Sequence, residues 1–245
     1  MTPPLFLVAA LPDSDVFELR GDEGRHAARV KRLGVGESVL VSDGAGGLLS
    51  CTVVAVLPDG LRLEVTSRRL VPAPGPRVVV VQALPKGERA ELAVELMTEL
   101  GVDEIVPWAA SRCVVRWDGP RGDRALEKWR RTVREAAKQS RRAWLPVIAP
   151  LAPTDAVVAR LAGAGGALVL HEDATDALAS AALPAAGELV LVVGPEGGIA
   201  PDELAAFVAA GARPVRLGAP VLRTSTAGAA ALAALSPRLG RWSWA

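Results

Sequence analysis

The sequence has no tyrosine, three phenylalanines and two cysteines in 245 residues. The missing tyrosine is a compositional habit beside the abundant Ala, Gly and Arg, whereas the cysteine count excludes a disulfide scaffold. Cys51 and Cys113 stand alone, without metal-ligand spacing, so two reduced thiols and no metal are expected. No apolar run reaches the length of a membrane helix. The opening MTPPLFLVAALP has an apolar stretch but no basic segment before it, so no signal peptide and a cytoplasmic location are expected. Neither sign of charge dominates: 28 Lys and Arg face 27 Asp and Glu, and with half the residues hydrophobic the chain is expected to be globular rather than disordered.

The balanced total hides an uneven distribution. Residues 112–142 hold 11 Lys and Arg against four acids, a local net of +7, while residues 143–245 hold six bases and eight acids. Such a segment suits a polyanionic partner, although a solvated helix face has the same composition.

Residues 71–76, Val-Pro-Ala-Pro-Gly-Pro, break every periodicity and read as an interdomain linker, giving expected domains 1–71 and 77–245. Before the linker the pattern predicts a mainly β unit. Leu5–Ala9 is a strand, Asp22–Leu33 a short basic helix, and SVLVSDG, LLSCTVVAVLPDG and LRLEVTSRR are strands with Asp-Gly turn signals at 43–44 and 59–60. After it, strands alternate with helices. Strands are expected at 77–84, 104–108, 167–171, 188–193 and 213–217. Helices are expected at 88–100, with Leu92, Leu96 and Leu100 on one face, at 124–142, with Trp129, Val133 and Ala137 inward, and near 153–162, 201–211 and 225–235. That alternation predicts an α/β domain with a mostly parallel sheet.

Residues 189–204, LVLVVGPEGGIAPDEL, end a buried strand in five residues that cannot continue it, and then open a helix at Pro201. Bare backbone at the carboxyl end of such a strand marks a ligand site. No Lys-Ser/Thr follows the glycines, so the loop is not a P-loop, and it also fails the dinucleotide G-x-G-x-x-G pattern. Glu196 sets a carboxylate where a phosphate would sit, which favours a ligand with a cationic or neutral part. A second stretch, RLGAPVLRTSTAGAAALAAL at 216–235, ends a strand at Gly218 and caps a helix of small residues at Thr224-Ser225-Thr226. Its Gly228 and alanines suit close helix approach, as in a subunit interface.

The pair GPEGG (194–198) and LGAPVLRTSTA (217–227) resembles the SPOUT methyltransferases, and specifically the RsmE family of 16S ribosomal RNA (uracil-N3)-methyltransferases. The resemblance runs along nearly the whole chain, through HAARVKRLGVGESVLVSDGAG (26–46), ALPKGERAELAVELMTELGVDEIVP (83–107), SRCVV (111–115) and EAAKQSRR (135–142). It implies an α/β protein with an N-terminal PUA-like β-barrel that binds RNA and a C-terminal trefoil-knotted SPOUT domain. It also implies S-adenosyl-L-methionine as cofactor, 16S rRNA in an assembled or assembling small ribosomal subunit as partner, and a homodimer. Two departures stand out: Ser225 replaces a common Glu, which argues against base catalysis there, and Arg141 replaces a common glycine.

The cofactor residues expected on this basis are Leu170 and Glu172, the loop Gly194, Pro195, Glu196, Gly197 and Gly198, and then Leu217, Gly218, Val221, Leu222, Arg223 and Thr224. Methyl transfer to a ring nitrogen requires loss of a weakly acidic proton, so a cation that stabilises the uracil anion is needed. Arg223 and Arg112 are the candidates, with Gln139 placed to hydrogen-bond a base edge; an internal salt bridge or cap is the bland alternative for each. His26 reads as an RNA contact or packed residue and His171 as a pocket wall. Arg25, Arg29, Lys31 and Arg32 in the first domain and Arg130, Arg134, Arg141 and Arg142 in the basic segment are the expected RNA contacts. The rival readings are a SPOUT enzyme for another rRNA or tRNA nucleotide and an inactive RNA-binding assembly factor.

Overall fold

The computed structural model describes residues 2–87 and 89–242. Met1, Glu88 and residues 243–245, which the expected domain limits and the expected helix 88–100 take in, lie outside the described residues. The chain divides into two compact units. One comprises residues up to Ala73 together with Ala137–Leu145; the other comprises Pro74–Ala136 and the chain from Pro146 onward.

The first unit is built on a five-stranded sheet. Its elements are β1 (Leu5–Leu7), β2 (Val16–Leu19), α1 (Gly21–Arg25) running into one π-helical turn (His26–Val30), β3 (Ser38–Ser42), β4 (Gly47–Leu57) and β5 (Gly60–Leu70). The strand order is β1-β3-β4-β5-β2, antiparallel throughout except for the β1–β3 pair. Period-two alternation places Val39 and Val41, Leu49, Cys51 and Val53, and Leu61 and Leu63 in one core with Phe6 and Leu19. Burial pushes the Cys51 thiol up to about 11, so it is a packed neutral group.

Residues 137–145 join this unit because they pair with its β3–β4 turn. The Ala143 carbonyl accepts the Gly46 amide at 2.9 Å and the Ser42 hydroxyl at 3.2 Å, and the Leu145 amide donates to the Gly44 carbonyl at 2.8 Å. Trp144 Nε1 donates to the Val71 carbonyl at 2.9 Å. Gly46 has φ +97°, and a Cβ there would sit 2.6 Å from the Trp144 ring, so no other residue fits.

The second unit is a six-stranded, wholly parallel sheet of order β11-β9-β10-β6-β7-β8. Its elements are β6 (Arg77–Ala83), α2 (Arg89–Glu99), β7 (Glu104–Trp108), α3 (Gly119–Gln139), β8 (Val147–Ile148), α4 (Thr154–Gly163), β9 (Gly166–Leu170), β10 (Glu188–Val193), α5 (Pro201–Ala209), β11 (Arg213–Val215) and α6 (Thr224–Leu235). The central strands β6 and β10 are almost continuous Val and Leu, as a sheet covered on both faces requires. Trp129, Val133 and Ala137 of α3 are buried, as their spacing predicts.

One helix face differs from expectation. The buried side of α2 is Ala90, Ala93, Val94, Met97 and Thr98, while Leu92 is 43% exposed. Leucines four apart drift around a 3.6-residue helix, whereas the alternating three and four spacing of the buried set does not. Small residues win that face because α6 packs on it: a Cβ on Gly228 would lie 2.8 Å from Met97 Sδ and 3.5 Å from Val193. The bare Cα of Gly228 thus serves packing within the chain.

At the amino edge of this sheet four charges lock β6, β7, β10 and α4 together. Arg160 grips Glu104 with two bonds of 2.6 and 2.9 Å and reaches Glu188 at 3.0 Å, while Arg77 bonds Glu104 at 2.7 Å and Glu188 at 3.0 Å. The Glu104 bonds hold the Arg160 guanidinium above its ordinary pKa. Arg160→Ala leaves two carboxylates to one arginine and should lower the free energy of unfolding by about 3 kcal/mol, measured by urea denaturation. A loss under about 1 kcal/mol, the scale of an exposed pair, would contradict a structural role for the cluster.

Candidate active site

Because every strand of the second unit runs the same way, the loops after β9, β10 and β11 meet at one edge, where they enclose a cavity of about 330 Å³. Its walls come from residues 170–172 at the end of β9, 193–196 and 198–199 at the end of β10, 215–224 around and after β11, and Arg89 and Ala227. Of the expected cofactor residues, all but Gly197 line it.

The GPEGG loop closes on itself, with the Gly198 amide donating to the Pro195 carbonyl at 3.0 Å and Gly198 at φ +73°. A Cβ on Gly194 would lie 2.7 Å from Ile199, so that glycine is required by close approach. Gly197 instead turns its bare side to Arg112, whose Cβ is 3.4 Å from the position a Cβ would take. Gly197 is not among the residues lining the cavity; backing Arg112, it shapes the loop from behind. Glu196 lines the cavity while its Oε1 accepts the Lys86 amide at 3.0 Å, which ties the β10 loop to the segment between β6 and α2.

The β11 loop is fixed from the other side. Thr224, first residue of α6, donates its hydroxyl to the Gly194 carbonyl at 2.6 Å and accepts the amide of fully buried Gln82 at 3.1 Å. Arg223 is exposed at the cavity wall, and its carbonyl caps α6 by accepting the Thr226 and Ala227 amides, each at 2.9 Å. His171 also lines the cavity, its Nδ1 accepting the Asp173 amide at 3.2 Å.

Arg112 stands behind the GPEGG loop, its Nη1 donating to the Gly197 carbonyl at 3.1 Å. It is held there through Ser111. Buried Glu203 accepts the Ser111 amide (2.9 Å), the Ser111 hydroxyl (3.0 Å), the Thr154 hydroxyl (2.9 Å) and the Ala200 amide (3.3 Å). From sequence, Glu203 is only an acid in the first turn of α5; here one carboxylate joins the loop after β7, the start of α4 and the start of α5.

Gln139, by contrast, is exposed at the end of α3 in the first unit and is not among the residues lining this cavity. Sequence reasoning also missed Arg89 and Arg216, two cations on the cavity wall. Nothing around Arg89 marks it in sequence; Arg216 is detectable as the residue between a strand and the Leu-Gly that follows it.

The expected RNA contacts lie as follows. In the first unit Arg25 pairs with Asp22, Arg29 donates to the Pro58 carbonyl at 3.0 Å, and Lys31, Arg32 and Arg141 are exposed. Arg32 and Arg141 both adopt φ +54°, each just past a helix end, which explains why glycine suits position 141. Arg142, next to Arg141, is half-buried. In the second unit Arg130 pairs with Glu127 on the exposed side of α3, and Arg134 is half-buried. Lys138 turns inward to Glu23 at 3.2 Å and is spent within the first unit. No helix among the described residues is long and apolar enough to cross a membrane, and no cluster of His, Cys, Asp or Glu among them could hold a metal.

Two family models match this chain: an RNA methyltransferase domain over residues 72–236 and an RNA methyltransferase PUA domain over residues 19–66. The ribosomal RNA small subunit methyltransferase E of Mycobacterium bovis is 51% identical over 99% of this chain and 94% of its own length. Its Bacillus subtilis counterpart is 28% identical over 92% of this chain and 91% of its own. Among solved structures, the Neisseria gonorrhoeae methyltransferase E bound to S-adenosyl methionine superposes with a TM-score of 0.85 at 25% identity, covering 97% of this chain and 98% of that one. A Legionella pneumophila putative methyltransferase in complex with the same cofactor gives 0.86 at 26% identity with the same coverages. With its two-unit α/β fold and a sheet edge built around GPEGG, the chain belongs to the ribosomal RNA small subunit methyltransferase E family of SPOUT methyltransferases.

Proposed function

We propose that this protein methylates N3 of a specific uridine in 16S ribosomal RNA, with S-adenosyl-L-methionine as the methyl donor. The observation that carries the reading is the make-up of the cavity. Bare backbone at Gly194, Gly198 and Gly218 lines the same cavity as Glu172 and Glu196 and as Arg89, Arg216 and Arg223. A sulfonium ligand with an amino-acid end and a heterocycle needs both signs of charge together with an apolar surface, which Leu170, Leu217, Val221 and Leu222 provide. The cofactor bound in the Neisseria and Legionella structures supports the choice of ligand. When bound, the cofactor supplies an electrophilic methyl group.

The chain's own contribution is positioning and charge. Glu172 and Glu196 offer negative potential to a sulfonium, and Glu196 does so from a carboxylate oriented by the Lys86 amide. Arg223, exposed at the cavity, holds the uracil ring as its N3 proton is lost, stabilising the negative charge that develops there. Arg112, fastened to the GPEGG loop, is the second cation; Gln139 acts as a base-edge contact from the RNA side.

The same reading assigns residues 1–71 to RNA binding and 77–245 to methyl transfer. Arg25, Arg29, Lys31, Arg32, Arg130, Arg134, Arg141 and Arg142 neutralise phosphates of rRNA within an assembled or assembling small subunit in the cytoplasm. A homodimer is part of it, supported by Val221, 77% exposed, and Leu222, 40% exposed, at the cavity rim. So is a trefoil threading of the chain. What supports it is the path after edge strand β11: α6 packs on α2, β10 and β6 in the middle of the sheet, so residues 216–223 return across its carboxyl edge.

Two variants test the cofactor site by calorimetric titration with S-adenosyl-L-methionine. Gly198→Val places a side chain on the cavity wall and should abolish measurable binding, whereas Gly197→Val displaces Arg112 and should weaken it only in part. A folded Gly198 variant with undiminished affinity would remove the cavity from consideration. For catalysis, Arg223→Ala should lower the single-turnover rate by roughly a hundredfold while cofactor and RNA affinities change little. Arg223→Lys keeps the charge without the planar fork and should be impaired too. Near-normal transfer by the alanine variant at saturating substrate would move the role to Arg112.

A further inference from the structure

We propose that a second, smaller cavity at the same edge of the sheet seats one unstacked nucleobase of the RNA segment that carries the acceptor, against the indole of Trp117. The proposal rests on the methyltransferase reading of the larger cavity. The small cavity measures about 170 Å³, half the volume of the first, and is lined by Cys113, Arg116, Trp117, Asp118 and Leu151 among others. Its residues follow β7 and β8, so the parallel sheet puts it at the carboxyl edge with the larger cavity. One residue connects the two: Arg112, next to Cys113 in the chain, bonds the Gly197 carbonyl in the loop that walls the larger cavity.

Its chemistry fits a flat heterocycle. Trp117 supplies an aromatic surface and Leu151 an apolar one, while Arg116 and Asp118 bring donors and acceptors to the rim. An enzyme that alkylates a ring nitrogen on its pairing edge must take that base out of its stack, and the strand so opened recovers stacking on an aromatic side chain.

The walls of the cavity are also held in place by packing and hydrogen bonds within the chain. Trp117 meets buried Trp129 edge to face, with ring centroids 5.0 Å apart at 81°. Gly122 packs on the Trp117 backbone so closely that a Cβ would lie 2.8 Å from its carbonyl carbon. At the other end of the loop, Glu203 fixes Ser111 through two bonds. A surface held this firmly costs little ordering on binding. The remaining reactive group, the Cys113 thiol, is held neutral by burial and donates weakly to the Trp108 carbonyl, so it is a wall and not a nucleophile.

The test is the affinity of the full-length protein for a short, fluorescently labelled single-stranded RNA containing uridine, read by anisotropy. Trp117→Leu keeps an apolar contact with Trp129 but removes the π face, and should weaken RNA binding by roughly tenfold or more. Trp117→Phe should recover most of that loss, and both variants should bind S-adenosyl-L-methionine as the parent does. Equal RNA affinity in the leucine variant, an equal loss in both variants, or a parallel loss of cofactor affinity would each overturn the proposal. Wild-type protein that binds RNA in a Trp117-dependent way yet transfers no methyl group would contradict the methyltransferase reading alone.

Discussion

The hydroxyl of Thr224 donates to the carbonyl of Gly194 at 2.6 Å, and the site depends on that tie. It fastens the start of α6 to the end of β10, two points that the strand order keeps apart until the chain has passed through edge strand β11. Residues 216–223 have to cross back over the sheet edge to make it, and the cavity is the space they enclose with the GPEGG loop. Fully buried Gln82 holds the same hydroxyl from β6, so the central strands and α6 share one hydrogen-bonded node. The small residues of α6 follow from this constraint: a helix drawn down onto β10 and α2 has room for Gly228 against Met97 and for little else.

A second node serves the far side of the GPEGG loop. Glu203 collects four donors from three segments, and through Ser111 it sets where Arg112 meets the Gly197 carbonyl. No cation is among these four donors; amides and hydroxyls, with the positive end of α5, stabilise the charge. The contrast with the amino edge is instructive. There Glu104 and Glu188 are matched by Arg77 and Arg160, an arrangement that secures strands and leaves no charge for a ligand, whereas the carboxyl edge keeps Arg89, Arg216 and Arg223 on the cavity wall.

Much of this was legible in the sequence where one physical signal was strong. The strands 104–108 and 188–193 are apolar runs behind a leading glutamate, and both fall as expected. Glycines after β10 and β11 announce bare backbone, so the cavity loops were readable too. What was not readable depends on partners far along the chain. The two-residue β8 and the four-residue β2 are too short to carry a period. The attachment of residues 137–145 to the first unit needs Gly46, Ser42 and Val71, none of which announces Trp144. The leucine stripe of α2 misled because the buried face was chosen by the fit of α6, not by hydrophobicity. Gly197 looks like Gly194 and Gly198 in sequence, yet its open side faces Arg112, and only packing distinguishes them.

The central claim concerns one atom of one nucleotide. The most direct measurement takes small ribosomal subunits from cells lacking this protein, incubates them with the purified protein and S-adenosyl-L-methionine, and maps modified bases in 16S rRNA by reverse transcription, since a methyl on N3 blocks the pairing edge. The account predicts one new stop at a single uridine, dependent on the cofactor and lost with Arg223→Ala. Full-length readthrough with label incorporated into ribose, or label appearing only in tRNA, would contradict it.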